Sequence, residues 1–515
     1  MSALLAALEQ WRPFEAVVIG DVMLDEIVSG DADRLAADAP VPVLHVRQTE
    51  RRPGGAANVA MDLAAMRGRV RCIGLVGQDE PGAALRSLHQ RAGVDPADLV
   101  TDPGRPTTVK RSVVGLAQHR HAQKMFRLDY ESRAPASAAL ASALLDRLDA
   151  ALTGGARVVC LEDYGKGVCT PELCRGVIQR ASARGAEVLV DPAHSADVLR
   201  YAGATAITPN RSEAEQAARA LAMPARRPGH ERAAPEDYAD IAAALIDRLG
   251  LAAAVITLDK HGALLLEGRG EATLVPTVAR QVYDVTGAGD MVLAALAAGR
   301  AAGLDWFQSV RLANAAAGLE VERFGVVPIP IEEIHRDVLA RERSQRGKLR
   351  TGPELAVELR ALRGPGGAGG AGGPRVVFAN GCFDMLHAGH VSLLRRARAE
   401  GDYLVVAIND DAGVRALKGP GRPVHTQADR AEILAALECV DAVTIFSEPT
   451  PEALVRSLRP DVLVKGDQYD KAAIPGAAFV ESIGGRVALL SVVPGRSTTA
   501  TVSKVRAAGA DTRAG

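Results

Sequence analysis

The stretch VYDVTGAGDMVL, Val282–Leu293, places Gly287, Ala288 and Gly289 directly before an Ala/Leu-rich run that continues to about Gly299. That run predicts a helix whose first turn has backbone N–H groups without intrahelical partners. With the helix dipole behind them and almost no side chain in front, these donors suit an anion such as a transferring phosphoryl group. Asp290 closes the cradle, placed to accept the proton of a substrate hydroxyl as it attacks a γ-phosphate. The competing reading is a glycine-rich helix start with Asp290 as its cap. The chain lacks a Walker GxxxxGK[ST] and a true strand-to-helix GxGxxG, so the usual nucleotide fingerprints do not apply.

Around this stretch the chain alternates short aliphatic runs with Ala/Leu/Arg helical segments. AVVIGD (16–21), VRCIGLVG (70–77), ARVVCLED (156–163), AEVLVDP (186–192), ATAITPN (204–210) and AAVITLD (253–259) read as buried, mostly parallel strands. Several end in Asp, Asn or Gly, which puts polar groups at the carboxyl ends of strands, where open α/β sheets bind ligands. The run RGPGGAGGAGGPR (363–375) lacks apolar side chains to offset ordering entropy and reads as a flexible linker. Beyond it the grammar repeats in PRVVFANG (374–381), DYLVVAIND (402–410), DAVTIF (441–446), PDVLVKGD (460–467) and GRVALLSV (485–492). The expected architecture is α/β throughout: a first domain over 1–340, a helical segment and Gly-rich linker over 341–374, and a smaller doubly wound domain over 375–515.

The chain's 515 residues are too many for one core. With 61 Lys plus Arg against 62 Asp plus Glu and no long run of either sign, nothing favours a polyanion or a membrane surface, and neither is expected as a partner. Six cysteines without a CxxC pair argue against a disulfide framework or zinc ribbon. No basic start precedes a long apolar stretch, and no run of 18 apolar residues occurs, so a cytoplasmic protein without signal peptide or membrane span is expected.

DVTGAGD, with RPGGAANVAMDLA (52–64) and TPNRSEAE (208–215), resembles the ribokinase-like (PfkB) sugar kinases across roughly residues 10–330. The resemblance implies that Asp290 is the catalytic base and that Gly287, Ala288 and Gly289 form the anion hole. It implies that Asn210 and Glu213 hold Mg–ATP, with Glu213 the one direct protein contact considered for the metal. Asn314 would lie along the adenine, and Asp21, Gly54, Gly55 and Asn58 would hold sugar hydroxyls. Helix capping or local hydrogen bonding is the alternative for Asn58 and Asn314. PTTVKR (106–111), MFRLDYES (125–132) and EDYGKG (162–167) are similar to the heptose-7-phosphate kinases within that group. Lys110, Arg111, Arg127 and Lys166 would then meet a phosphate already on the sugar, although surface solvation explains any one of them alone. One departure is Asp191-Pro192-Ala193-His194, where the family usually carries DPKG.

In the second domain, NGCFDMLHAGHVSLL (380–394) sets His387 and His390 at the mouth of a helix. A metal site there has only Cys382 and Asp384 as further candidates. Alternatively, both imidazoles face the phosphates of a nucleotide, whose α-phosphate gains charge during nucleotidyl transfer. HAGH is similar to the HxGH signature of cytidylyltransferase-like nucleotidyltransferases, and LKGPGRPV, DRAEILAALECVD, VLVKGDQY and GRSTTATVSKVR extend the match. By that resemblance Lys418 and Arg430 neutralise triphosphate charge, and Ser497, Thr498 and Thr499 contact the β- and γ-phosphates, an ordinary N-cap being the alternative. Asp467-Gln468-Tyr469 departs from the common GDY, and Arg496 stands just before the Ser-Thr-Thr run.

Both halves in this order resemble the bifunctional heptose-7-phosphate kinase and heptose-1-phosphate adenylyltransferase family. The resemblance implies ATP as substrate of both sites, Mg²⁺ as cofactor, heptose 7-phosphate and heptose 1-phosphate as further substrates, and a homodimer. Rival readings are the same chemistries on another sugar phosphate or with CTP, and a non-catalytic sugar- or nucleotide-binding regulator.

Overall fold

The computed structural model describes residues 3–116, 123–195, 197–223, 235–277, 283–323, 325–363 and 373–491. They fall into two compact units, one ending at Ile334 and the other starting at His335.

The first unit is built on a nine-stranded sheet. From one edge its order is Thr273–Val275, Ala263–Glu267, Ala253–Thr257, Ala206–Ile207, Glu187–Asp191, Val158–Glu162, Phe14–Gly20, Gly68–Val76 and Leu99–Thr101. The first three pair antiparallel and the others parallel. All six expected strands are present, and their near-continuous burial reflects cover on both faces. The chain leaves Phe14–Gly20 toward Gly68–Val76 on one side and returns to Val158–Glu162 on the other. The carboxyl ends of the central strands therefore open a crevice flanked by Asp21, Glu162, Asp163 and Asp191.

A second, four-stranded sheet, ordered Pro42–Gly55, Val22–Leu35, Thr108–Leu116 and Gln123–Tyr130, stands outside the strand pattern read from sequence. Its long strands carry polar residues such as those of DADRL and break register near Gly30 and Asp31, so they show neither a continuous apolar run nor a clean alternation.

The second unit is a six-stranded parallel sheet ordered Leu349–Arg350, Ala442–Phe446, Tyr403–Asn409, Val376–Gly381, Val462–Gly466 and Arg486–Leu490. The chain order reverses at Val376–Gly381, which places the HAGH segment at the switch point. Leu349–Arg350 and the helix Gly352–Arg363, read from sequence as a lead into the linker, pack with this sheet. Leu355 and Ala356 sit one turn before Leu359 on the same helix face, and all three join its core, which is why this segment groups with the second unit. Residues 364–372 of the Gly-rich run lie outside the described residues. Among the described residues no helix is long and apolar enough to cross a membrane.

Candidate active sites

In the first unit, the helix Ala288–Ala301 runs buried behind the sheet, with Met291 through Gly299 shielded from solvent. Gly287 caps it at φ 90°, a left-handed conformation open to glycine, and a Cβ there would lie 2.7 Å from Glu320 Oε1. Glycine is thus required twice over, by backbone angle and by space. Asp290, in the first turn, is 4% exposed. Its Oδ2 accepts from Asn58 Nδ2 at 2.9 Å and its Oδ1 from the Tyr164 hydroxyl at 2.7 Å. Burial raises the carboxyl to about 6, against the two donors, which favour its charged form. It is therefore ionised at neutral pH and hydrogen-bonded at both oxygens.

Asp290 ends a cavity of about 360 Å³ between the helix start and the small sheet. The wall carries Lys110, Lys124, Arg127 and Arg52 as well as Asp25. Lys110 Nζ sits 4.3 Å over the Tyr164 ring, and Lys124 reaches Thr286 Oγ1 at 3.2 Å and Asp284 at 3.4 Å. Burial raises Asp25 even though these cations lower it. Four cations around one carboxylate suit an anionic, hydroxyl-bearing ligand.

Four sequence expectations change here. Asp21 does not line the cavity: its buried carboxylate accepts from the backbone N–H of Tyr164 and Lys166, each at 2.9 Å, and of Val168 at 3.2 Å. It shapes the loop that presents Tyr164. Asp25, four residues later, takes the place facing the cavity. Arg111 points to Glu26 at 2.6 Å, because residues 110, 112 and 114 of its strand face the cavity and 111 falls on the other side. Lys166 is ion-paired with Glu131. Gly54 backs onto Asp25, and a Cβ there would meet its Oδ2 at 2.7 Å; Gly55 does line the cavity.

On the nucleotide side, Asn210 and Glu213 form a reciprocal capping box: Glu213 N donates to Asn210 Oδ1 at 3.1 Å and Asn210 N to Glu213 Oε2 at 2.9 Å. His194, which follows Ala193, lowers the burial-raised carboxyl of Glu213 electrostatically. Asn314 donates to the Val275 carbonyl at 2.9 Å, the local bond given above as its alternative role. Glu162 and Asp191 bring carboxylate oxygens within 4.8 Å of each other at adjacent strand ends.

In the second unit, His387 caps the helix Ala388–Arg398, and its ring stacks on that of His390 with centroids 3.8 Å apart and planes 20° apart. Burial, then the His387 and Lys418 charges, push His390 down to about 4, so its ring is neutral at pH 7. Among the described residues no third ligating atom gathers with the two imidazoles. Asp384, a candidate metal ligand, is fully buried and holds the following loop, accepting from Arg422 at 2.7 Å and Val424 N at 2.6 Å.

Arg430 departs from its expected role at the triphosphate. It is 1% exposed and donates to the Cys382 carbonyl at 2.6 Å, the His425 carbonyl at 3.2 Å and Asp411 at 2.8 Å. It braces the loop that carries the histidines. Lys418 ends the helix Asp411–Lys418 within electrostatic reach of His390 and Asp384. Lys465, unassigned from sequence, donates to the Asn380 carbonyl at 3.1 Å, and burial lowers it to about 8. Ser497, Thr498 and Thr499 lie outside the described residues. Tyr164 and Lys465 stood inside quoted motifs, EDYGKG and VLVKGDQY, but nothing in their spacing separates a site residue from a core one.

The pfkB family carbohydrate kinase model matches residues 14–333, and the cytidylyltransferase-like model matches residues 378–493. The chain is similar to the bifunctional protein HldE of Trichlorobacter lovleyi, 42% identical over 491 residues that cover 95% of each chain. It is equally similar to the bifunctional protein HldE of Methylobacillus flagellatus, 42% identical over 496 residues and 96% of each chain. Phosphofructokinase-2 from Escherichia coli, solved in complex with potassium, superposes with a TM-score of 0.51 at 16% identity, covering 64% of this chain and 100% of that one. At that identity the likeness is one of fold.

Proposed function

The chain belongs to the bifunctional HldE family, its first part a pfkB family carbohydrate kinase and its second cytidylyltransferase-like, and on that premise we propose the following two-step chemistry. The first unit moves the γ-phosphoryl group of ATP to the anomeric hydroxyl of D-glycero-D-manno-heptose 7-phosphate, giving the 1,7-bisphosphate and ADP. After a separate phosphatase removes the 7-phosphate, the second unit joins heptose 1-phosphate to the AMP moiety of ATP and releases pyrophosphate, yielding ADP-heptose. The observation that carries the kinase assignment is Asp290, ionised and held by Asn58 and Tyr164 at the start of the anion-binding helix, with a cation-walled cavity in front of it.

In the kinase step Asp290 accepts the proton of the attacking hydroxyl, and the N–H groups of Gly287, Ala288 and Gly289 hold the phosphoryl oxygens. Lys110, Lys124, Arg127 and Arg52 take the 7-phosphate, and Asp25 and Asn58 orient hydroxyls. The hard oxygens of Glu162 and Asp191, with Glu213 beyond them, fit Mg²⁺, which supplies charge neutralisation on the triphosphate when bound. In adenylyl transfer the imidazoles of His387 and His390 donate ring N–H bonds to the phosphate oxygens, Lys418 adds charge, and Ser497, Thr498 and Thr499 complete the triphosphate contacts. No covalent enzyme intermediate is needed.

Exposed Leu128 and Tyr130 on the outer strand of the small sheet, with Val46 on the opposite edge strand, support a homodimer through that sheet. Leu128→Glu should shift a dimer to monomer in light scattering. A second reading keeps both chemistries with another sugar phosphate or CTP; Ala193 in place of the DPKG lysine and Gln468 in place of the GDY tyrosine favour it.

The test is mass spectrometry of products from purified protein with Mg–ATP and heptose 7-phosphate, with and without a 7-phosphatase. Bisphosphate alone without the phosphatase and ADP-heptose with it support the assignment; no turnover of this sugar overturns it.

A further inference from the structure

Behind the anion-binding turn lie two acids that the kinase chemistry leaves unused. Asp62, on the helix Ala56–Ala65, is 0% exposed, and Glu320, the last residue of the helix Trp306–Glu320, is 1% exposed. Among the described residues none of their four carboxyl oxygens has a hydrogen-bond partner; the Val327 amide faces Glu320 without hydrogen-bond geometry. Buried polar groups without partners are uncommon and call for a physical account. Both acids also stand in the last turns of their helices, where the dipole disfavours negative charge. The charged groups around them are mostly of the same sign: Asp290 for both, and Asp284 for Glu320. The nearby cations are engaged elsewhere, Lys124 with Asp284 and Arg52 with Glu50 and the Val326 carbonyl.

Glu320 is also close to the reaction. Its Oε1 lies 2.7 Å from where a side chain on Gly287 would begin, so it forms the floor of the anion hole. An ionised carboxylate there would oppose the potential that the Gly287–Gly289 donors create for the γ-phosphate.

We propose that Glu320 and Asp62 are neutral, proton-holding acids in the working kinase, and that the proton on Glu320 is a positioning element that keeps the floor of the anion hole free of negative charge. Burial and the neighbouring Asp290 raise Glu320 to about 8, and burial together with Glu320 and Asp290 raises Asp62 as well. Alkaline solution therefore removes the Glu320 proton and weakens phosphoryl transfer, while leaving the second unit's chemistry in place. This inference rests on the kinase reading above.

The experiment is the pH dependence of kcat for bisphosphate formation in the full-length wild type, Glu320→Gln and Asp62→Asn, with adenylyl transfer from heptose 1-phosphate measured alongside. Wild-type kinase turnover should fall above about pH 8, by roughly tenfold at pH 9 for loss of one proton. Glu320→Gln should retain turnover at pH 7, because an amide replaces a neutral acid of the same shape, and should lose the alkaline limb. Asp62→Asn should retain turnover at pH 7 and keep the limb. A limb that persists in Glu320→Gln overturns the inference, as does a potassium or sodium stimulation of wild type that this variant abolishes, which would make the pair a cation site. Infrared difference spectra provide the second readout: the protonated-carboxyl C=O absorption at pH 7 should lose one component in Glu320→Gln and another in Asp62→Asn, and its absence from wild type overturns the inference without need of turnover. No turnover at any pH in any variant would instead count against the kinase reading itself.

Discussion

Tyr164 donates its hydroxyl to Oδ1 of Asp290 across 2.7 Å, tying the loop after the strand Val158–Glu162 to the first turn of the helix Ala288–Ala301. This donor favours the charged carboxylate and so holds Asp290 lower than burial alone would. A base raised to about 6 must lose its proton to work, so kinase turnover should rise with pH through about 6. Tyr164→Phe should move that acid limb upward and lower turnover several-fold at pH 6.5, with a smaller loss at pH 8. An unmoved limb would remove Tyr164 from the tuning of the base.

Asp290→Asn should reduce kinase turnover by roughly 10²–10⁴-fold, the range for loss of a general base, and leave adenylyl transfer intact. His390→Ala should do the reverse. Each variant is assayed for both products. Loss of both activities by one substitution in a folded protein would contradict two separate sites.

Asp21 is a loop organiser, so Asp21→Ala should act through shape. Three backbone donors lose their acceptor, and buried unsatisfied groups cost ~1–3 kcal/mol each before water or rearrangement offsets them. A fall in the denaturation midpoint of the first unit, with a lower kcat, is expected. A raised KM for the sugar at unchanged stability would restore the hydroxyl-binding role.

Arg430→Ala should destabilise the second unit by ~3 kcal/mol, since it leaves two carbonyls and Asp411 without a buried partner. Chemical denaturation followed by circular dichroism measures this. A stable variant with a weakened KM for ATP would return Arg430 to the triphosphate.

Much of the scaffold was legible from local chemistry. Aliphatic runs ending in Asp, Asn or Gly marked the strands, because buried parallel strands need continuous apolar sequence and their carboxyl ends meet ligand. DVTGAGD and HAGH marked the phosphate sites, because bare backbone or imidazole at a helix start is a local property. The small sheet was not legible, since its irregular strands gain their pattern from the cavity they cover. Asp25 was missed for Asp21 for a related reason: which of two carboxylates faces a ligand depends on where the 164–168 loop folds back.

What the sequence determined by itself is the order of elements, the two α/β units and the position of each anion-binding turn, all set by neighbours within a few residues. The tertiary structure alone decided which charges remain available. Arg111, Lys166 and Arg430 are alike in sequence to Lys110 and Lys418, yet the first three are bound to Glu26, Glu131 and Asp411, carboxylates 85, 35 and 19 residues away, whereas Arg127 on the cavity wall pairs locally with Asp129. A side chain's charge is fixed by its type, but its partner is fixed by long-range packing, and the partner determines whether that charge meets a ligand or braces the fold.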